Sequence, residues 1–211
     1  GLNSNWNYQL AVQLNWLEDV LDSSCNDPNI DFVFAQLHHP HKSELWVPGE
    51  TNFTGDVVEL LEQFTSDCGK PSIHFFGHTH GYSRGQSIDH THAMVNVATA
   101  GGAIDYWGEY LQADYPEYSV SQDEWGFVVL DVEAGSDPKF TLKRISRGDD
   151  YQPLDNVVRD EFTIRMHNNP PMTPDPVYPL GDEVPPDLIW LWASEYSDPD
   201  NDEHGFSQCQ I

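Results

Sequence analysis

Apolar residues recur at helical spacing near the start of the chain. Leu10, Leu14, Leu17 and Leu21, joined by Val20, fall three and four positions apart over residues 9–24, and Asp27-Pro28 ends the pattern. This spacing predicts an amphipathic helix. The run Asp31-Phe-Val-Phe-Ala-Gln-Leu37 that follows is short and mostly apolar, as a buried strand is, and a His-rich loop leaves its end. A second helix is predicted around 56–64. The breaker Cys68-Gly-Lys-Pro71 closes it, and Ser72-Ile-His-Phe-Phe76 reads as a second buried strand.

From Met94 onward the pattern changes. Residues 94–98, 125–132, 140–145 and 162–166 read as strands separated by Gly, Asp and Pro turns, so alternating β and α gives way to antiparallel β. The segment from Asn168 to Pro176 carries four prolines in nine residues and reads as a stiff extended linker. The expected organisation is a main α/β domain over 1–167, a linker over 168–176 and the start of a β module over 177–211. In that last part Leu188-Ile-Trp-Leu-Trp192 reads as a strand. The 35 residues after the linker are too few for an independent β-sandwich, so this module is expected to be truncated.

Composition narrows the function. Hydrophobic residues make up 38% of the 211 residues and aromatics 12%, which suits a packed core and excludes a disordered acidic tail. There are 35 Asp and Glu against nine Lys and Arg, a formal net charge of -26. Such a surface is unsuited to nucleic acid or anionic lipid, which are bound through clustered basic side chains. A phosphate-bearing small molecule remains open if bound cations reverse the sign locally. No apolar run approaches the roughly 18 residues that a membrane-spanning helix needs. The opening Gly-Leu-Asn-Ser-Asn-Trp lacks the basic and apolar regions of a signal peptide, so an export signal would lie upstream. Cys25, Cys68 and Cys209 allow one pair with one left over. Cys25 and Cys68 each follow a helical stretch, so a disulfide between them is one arrangement open to the chain.

The chemistry lies in two loops, His38-His39-Pro40-His41 and Gly77-His78-Thr79-His80-Gly81, each leaving the carboxyl end of a predicted strand. Layered α/β folds gather function at those ends. In an extended segment residues two apart face one side, so His78 and His80 can present both imidazoles to one centre. Neutral imidazole suits Zn, Fe, Mn or Ni. Hydrogen-bonded loop histidines are the bland alternative, and a mononuclear three-histidine site is a further one.

These residues carry a family resemblance. Phe34-Ala-Gln-Leu-His-His-Pro40, followed some forty residues later by Gly77-His-Thr-His-Gly-Tyr-Ser-Arg84, is similar to the last two metal-binding motifs of calcineurin-like metallophosphoesterases, which include the purple acid phosphatases. Asn96-Val-Ala-Thr-Ala-Gly-Gly-Ala103 resembles the small-residue strand and turn that follow in many members. The resemblance covers residues 9 to about 150. It implies a four-layer αββα sandwich and hydrolysis of phosphate monoesters or diesters by a hydroxide held on two divalent or trivalent metal ions (Fe, Zn or Mn). His38 and His78 would bind the second metal and His80 the first. His39, at a position the family leaves variable, is expected beside the substrate. His41 is a candidate proton donor to the leaving group, with a plain polar loop residue as the favoured alternative, and Tyr82 and Arg84 are candidate substrate contacts, Arg84 having carboxylate pairing as its alternative.

The family's earlier motifs are absent: an Asp-X-His, a Gly-Asp with a later Asp, and a Gly-Asn-His followed by an acidic residue. A dinuclear centre therefore needs a partner, the amino-terminal half of the same enzyme, as a separate chain or a lost segment. The competing expectation is a non-enzymatic extracellular component built on a phosphoesterase-like scaffold. Among other residues, His74 reads as a core histidine, and the aromatic insert around Trp107 and Tyr110 as packing or a pocket wall. Ser197-Asp-Pro-Asp-Asn-Asp-Glu203 resembles the acidic turn of bacterial fibronectin-like repeats. That implies an extracellular or cell-surface parent, with calcium a candidate at this turn.

Overall fold

A computed structural model of the chain describes residues 1–181 and 190–202. It divides into two units, Gly1–Met166 and His167–Ile211.

In the first unit helix α1 runs over Ala11–Asn26 and buries Leu17 and Leu21. Its far side leaves Val12, Trp16 and Val20 exposed. Strand β1 (Val33–Gln36) precedes helix α2 (Asn52–Cys68), which starts where the Thr51 hydroxyl accepts the Thr54 amide at 3.2 Å. Gly69, at φ +71°, closes α2 in the left-handed conformation that glycine adopts without a Cβ clash. Strands β2 (Ser72–Phe76), β3 (Tyr82–Gln86), β4 (Ala93–Val97) and β5 (Tyr118–Gln122) follow. Then come β6 (Trp125–Glu133), β7 (Lys139–Gly148) and β8 (Pro153–Arg165).

These strands form a five-stranded mixed sheet in the order β1-β2-β4-β3-β5 and a three-stranded antiparallel sheet, β6-β7-β8. Strands β1, β2 and β4 are parallel neighbours, so their carboxyl ends share one edge. Alternation along β2 sends Ser72, His74 and Phe76 to one face and Ile73 and Phe75 to the other. On the helix side, Leu17 and Leu21 of α1 meet Val57, Leu61 and Phe64 of α2 over Ala35. On the other side, Ile73, Tyr82 and Val95 pack against Phe140 and Leu142 of β7. The layers are therefore helices, large sheet, small sheet. Phe127, Val129 and Val157 remain exposed on the small sheet.

A disulfide joins Cys25 to Cys68 across 43 positions, tying the ends of the two helices. In the chain-entropy account, a closed loop of that length is worth about 4 kcal/mol. Beside it the ammonium of Lys70 donates to the carbonyls of Ser24 and Asp27, both at 2.7 Å, and so places a cation on the carboxyl end of α1.

His74 is fully buried, as the sequence suggested, and its ring stacks on that of His92 at 5.1 Å. A hydrogen-bonded chain runs from His74 Nδ1 to His92 Nε2 (2.8 Å) and from His92 Nδ1 to the Ser72 hydroxyl (2.7 Å). Burial lowers the His92 pKa to about 3 and holds His74 well below the usual imidazole range. An unfolded chain protonates both rings near pH 6.5, whereas the folded chain keeps them neutral. Their contribution to stability is thus complete above that pH and is lost as pH falls toward the folded values. His92 alone is expected to remove roughly 3 kcal/mol between pH 7 and pH 4. Urea melts of the wild type and His92→Gln at both pH values measure this; equal acid sensitivity would exclude His92 as a source.

Two arginines tie the sheets. Arg84 of β3 donates to Asp160 of β8 from Nε (2.6 Å) and Nη2 (3.0 Å), and the Tyr82 hydroxyl donates to the same carboxylate at 2.7 Å. Arg144, fully buried on β7, lies over the Tyr82 ring at 5.0 Å and donates to the Glu124 carbonyl at 2.7 Å.

In the second unit β9 (Pro176–Tyr178) pairs antiparallel with β10 (Trp192–Ala193). The acidic turn is folded on its own backbone: Asp198 Oδ1 accepts the amides of Asp200 (2.7 Å) and Asp202 (3.2 Å). Leu188, Ile189, Glu203, His204 and Cys209 lie outside the described residues.

Candidate metal centre

Because β1, β2 and β4 are adjacent and parallel, the loops that leave them converge. They enclose an open depression of about 500 Å³ lined by His38, Gly77, His78, His80, Ala98 and Ala100–Gly102. The loops are cross-braced. The Gly77 amide donates to the His38 carbonyl at 3.0 Å, and Asn96 Nδ2 donates to the Thr79 carbonyl at 3.0 Å. Thr79, fully buried, meets the Ser43 hydroxyl at 2.7 Å. His78 is held at φ +70°, a left-handed conformation that costs a residue with a bulky side chain about 1–3 kcal/mol.

Nitrogen Nε2 of His38 lies 3.0 Å from Nδ1 of His78. Two imidazoles on one tetrahedral ion, at N–metal distances of about 2.0–2.1 Å, hold their nitrogens about 3.3 Å apart, so this spacing suits a shared cation. The ring of His39 joins the same group, 4.8 Å from His38 and 4.4 Å from His78 between centroids. The ligand-capable nitrogens of the three lie within 4.8 Å of one another. The structure thus groups His39, rather than His80, with His38 and His78.

His80 lines the same depression with its ring turned to the β4 loop. Its Nδ1 donates to the Ala103 carbonyl at 2.6 Å, so in the neutral ring Nε2 is the nitrogen that carries the lone pair. A metal-binding histidine commonly has its other nitrogen bound to a carbonyl in this way. The Asp105 carboxylate accepts the His80 amide at 2.7 Å, and a β-carbon on Gly102 would stand 2.9 Å from the His80 ring. Burial, followed by the neighbouring imidazoles, lowers the His78 pKa to about 4, and burial lowers that of His39. Both rings are neutral near pH 7, the state in which an imidazole can bind a metal.

The remaining candidates stand apart from this group. His41 packs against Gly55 of α2 and lines a separate hollow with Lys42, Glu62 and Glu117. Tyr82 and Arg84 are committed to Asp160 between the sheets. Three neighbours of the histidines carried no sequence signal. Trp46 lies 5.0 Å from the His78 ring, Asp105 holds the His80 backbone, and Ser4 holds the loop of His38 and His39. Each acts through tertiary proximity, without a motif.

The layered α/β unit, with histidines at the ends of its parallel strands, shares its fold with a solved structure. No family model and no curated protein matches the chain. Among solved structures, that of PhoD is similar over 74% of this chain and 33% of its own, with 12% identity and a TM-score of 0.52. GAP50, the anchor in the inner membrane complex of Plasmodium, is similar over 74% of this chain and 46% of its own, with 15% identity and a TM-score of 0.46. This chain therefore spans a third to a half of the proteins it resembles. No helix of the described residues is long and apolar enough to cross a membrane.

Proposed function

We propose that this chain supplies the histidine half of a metal centre that hydrolyses phosphate esters. The observation that carries the reading is the 3.0 Å approach of His38 Nε2 to His78 Nδ1, beside His80, where three parallel strands end. His38, His78 and His80 would hold the ions. The bound cations would neutralise the phosphate and lower the pKa of the attacking water. An all-imidazole donor set fits one Zn or Fe ion. A second ion needs carboxylates, and the histidine group contains none. Those ligands are assigned to a partner polypeptide, the amino-terminal half of the domain.

The uncovered apolar residues of the small sheet, Phe127, Val129 and Val157, support a fourth layer in the complete domain. The disulfide and the acidic surface support an extracellular setting, with the second unit as the beginning of a fibronectin-like module. The test is coexpression of this chain with the polypeptide that continues its domain, followed by elemental analysis and assay of a phosphate monoester and a diester. Two metals per complex and turnover of either ester are expected. A metal-free, inert complex would refute the reading.

A further inference from the structure

Ser4 lies in the amino-terminal segment, is 1% exposed, and touches three polar groups of the first histidine loop. Its Oγ accepts the amide of His38 at 3.1 Å and that of His39 at 2.8 Å, and stands 3.0 Å from His39 Nδ1. A serine hydroxyl has two lone pairs and one proton. Backbone amides only donate, so they occupy both lone pairs, and the third contact is the Ser4 proton given to Nδ1. His39 Nδ1 is then the acceptor. The ring cannot be an imidazolium, whose Nδ1–H would need a third lone pair, and it carries its hydrogen on Nε2.

A neutral imidazole has one nitrogen lone pair with which to bind a cation. In His39 the Ser4 proton occupies that pair, although the ring packs against both His38 and His78. His80 has the reverse arrangement, with Nδ1–H spent on Ala103 and Nε2 bare. We infer that His39 is the hydrogen-bond donor of the histidine group and not one of its ligands: Ser4 holds it as the Nε2–H tautomer, which donates to an anionic oxygen of a phosphoryl group at the centre. Ser4 is the positioning residue. The identity of the anion rests on the phosphoesterase reading; the tautomer does not.

Two measurements on the full chain test this. Long-range proton–nitrogen correlation spectra of the metal-free protein at pH 7 are expected to give His39 a bare Nδ1 and a protonated Nε2, and Ser4→Ala is expected to blur that preference. A bare Nε2 in the wild type would overturn the inference. Next, the chain is titrated with Zn²⁺, and the loaded protein with inorganic phosphate. His39→Gln is expected to keep the zinc affinity within about threefold and to weaken phosphate at least about tenfold, as loss of a donor to a charged oxygen does. His38→Ala is expected to weaken zinc itself about 100-fold. Equal zinc loss in the two variants would show that His39 is a ligand, and unchanged phosphate affinity in His39→Gln would remove its donor role. Should the wild type take up no zinc, the donor role of His39 toward a metal-bound phosphate is overturned for this chain, the phosphoesterase reading is decided separately on the coexpressed complex, and the spectra still decide the Ser4–His39 assignment.

Discussion

Replacing His78 by asparagine is expected to weaken metal binding at least about 100-fold and to reduce phosphate-ester hydrolysis by the completed enzyme below detection. Asparagine is the informative choice because position 78 sits at φ +70°, which asparagine tolerates better than most residues. The backbone turn therefore survives while the imidazole is lost. His38 then faces no second nitrogen at 3.0 Å, and one donor of the shared cation is gone. Thermal stability should stay within about 1 kcal/mol of the wild type, since His78 lies on a half-exposed loop and contributes no core packing. Calorimetric metal titration and a melting curve on the same sample check both halves of the expectation. Full metal affinity in this variant would move the centre away from these loops.

Asp160→Ala is the second substitution with a large expected effect, this time on stability. One carboxylate accepts the Tyr82 hydroxyl and two guanidinium nitrogens of Arg84, with Tyr82 fully buried and Arg84 stacked 5.0 Å from the Phe162 ring. Removing it leaves a hydroxyl and a charge without their partner between two sheets, which costs about 3–5 kcal/mol. Over a unit of this size that lowers Tm by about 10 °C. Asp160→Asn retains one acceptor oxygen and should lose about half as much. Metal affinity of the folded fraction should not change, because the pair braces the sheets and stands apart from the histidine group. Chemical unfolding of the two variants measures the difference, and a loss below about 1 kcal/mol for Asp160→Ala would show the pair to be dispensable.

The elements most legible in the sequence were those whose apolar pattern matches a single burial rule. Strand β2 coincides with the predicted 72–76 because the five-stranded sheet is covered on both faces there. Helix α1 follows the leucine spacing, although Leu10 and Val20, read as part of its apolar face, are exposed. Strands β3 and β5 escaped detection for a physical reason. Tyr82-Ser-Arg-Gly-Gln86 is buried through polar bonds to β8 and through pairing with β4 and β5, so it lacks the apolar run that marks a central strand. Strand β8 is longer than the predicted 162–166 because its first half is largely exposed and carries no burial signature.

The candidate site was legible to the extent that chemistry resides in residue type. Two His-rich loops at strand ends point to a metal without any tertiary information, and the structure brings His38, His39 and His78 together at one rim. The role of each ring was not legible, since it depends on the atom that its second nitrogen meets. Ser4 and Ala103 set those roles from 35 and 23 positions away, with nothing in their identity to announce it.

The cystine between Cys25 and Cys68 lies just ahead of β1 and β2, at the opposite rim of the sheet from the imidazoles. Anchorage and reactivity are thereby separated along the strand axes. Surface changes on the exposed side of α1, at Glu18 or Asp22, can be accommodated near the bolted rim without displacing the rings. A reductant would slacken the helical layer first and reach the histidine rim only as the sheet itself gives way.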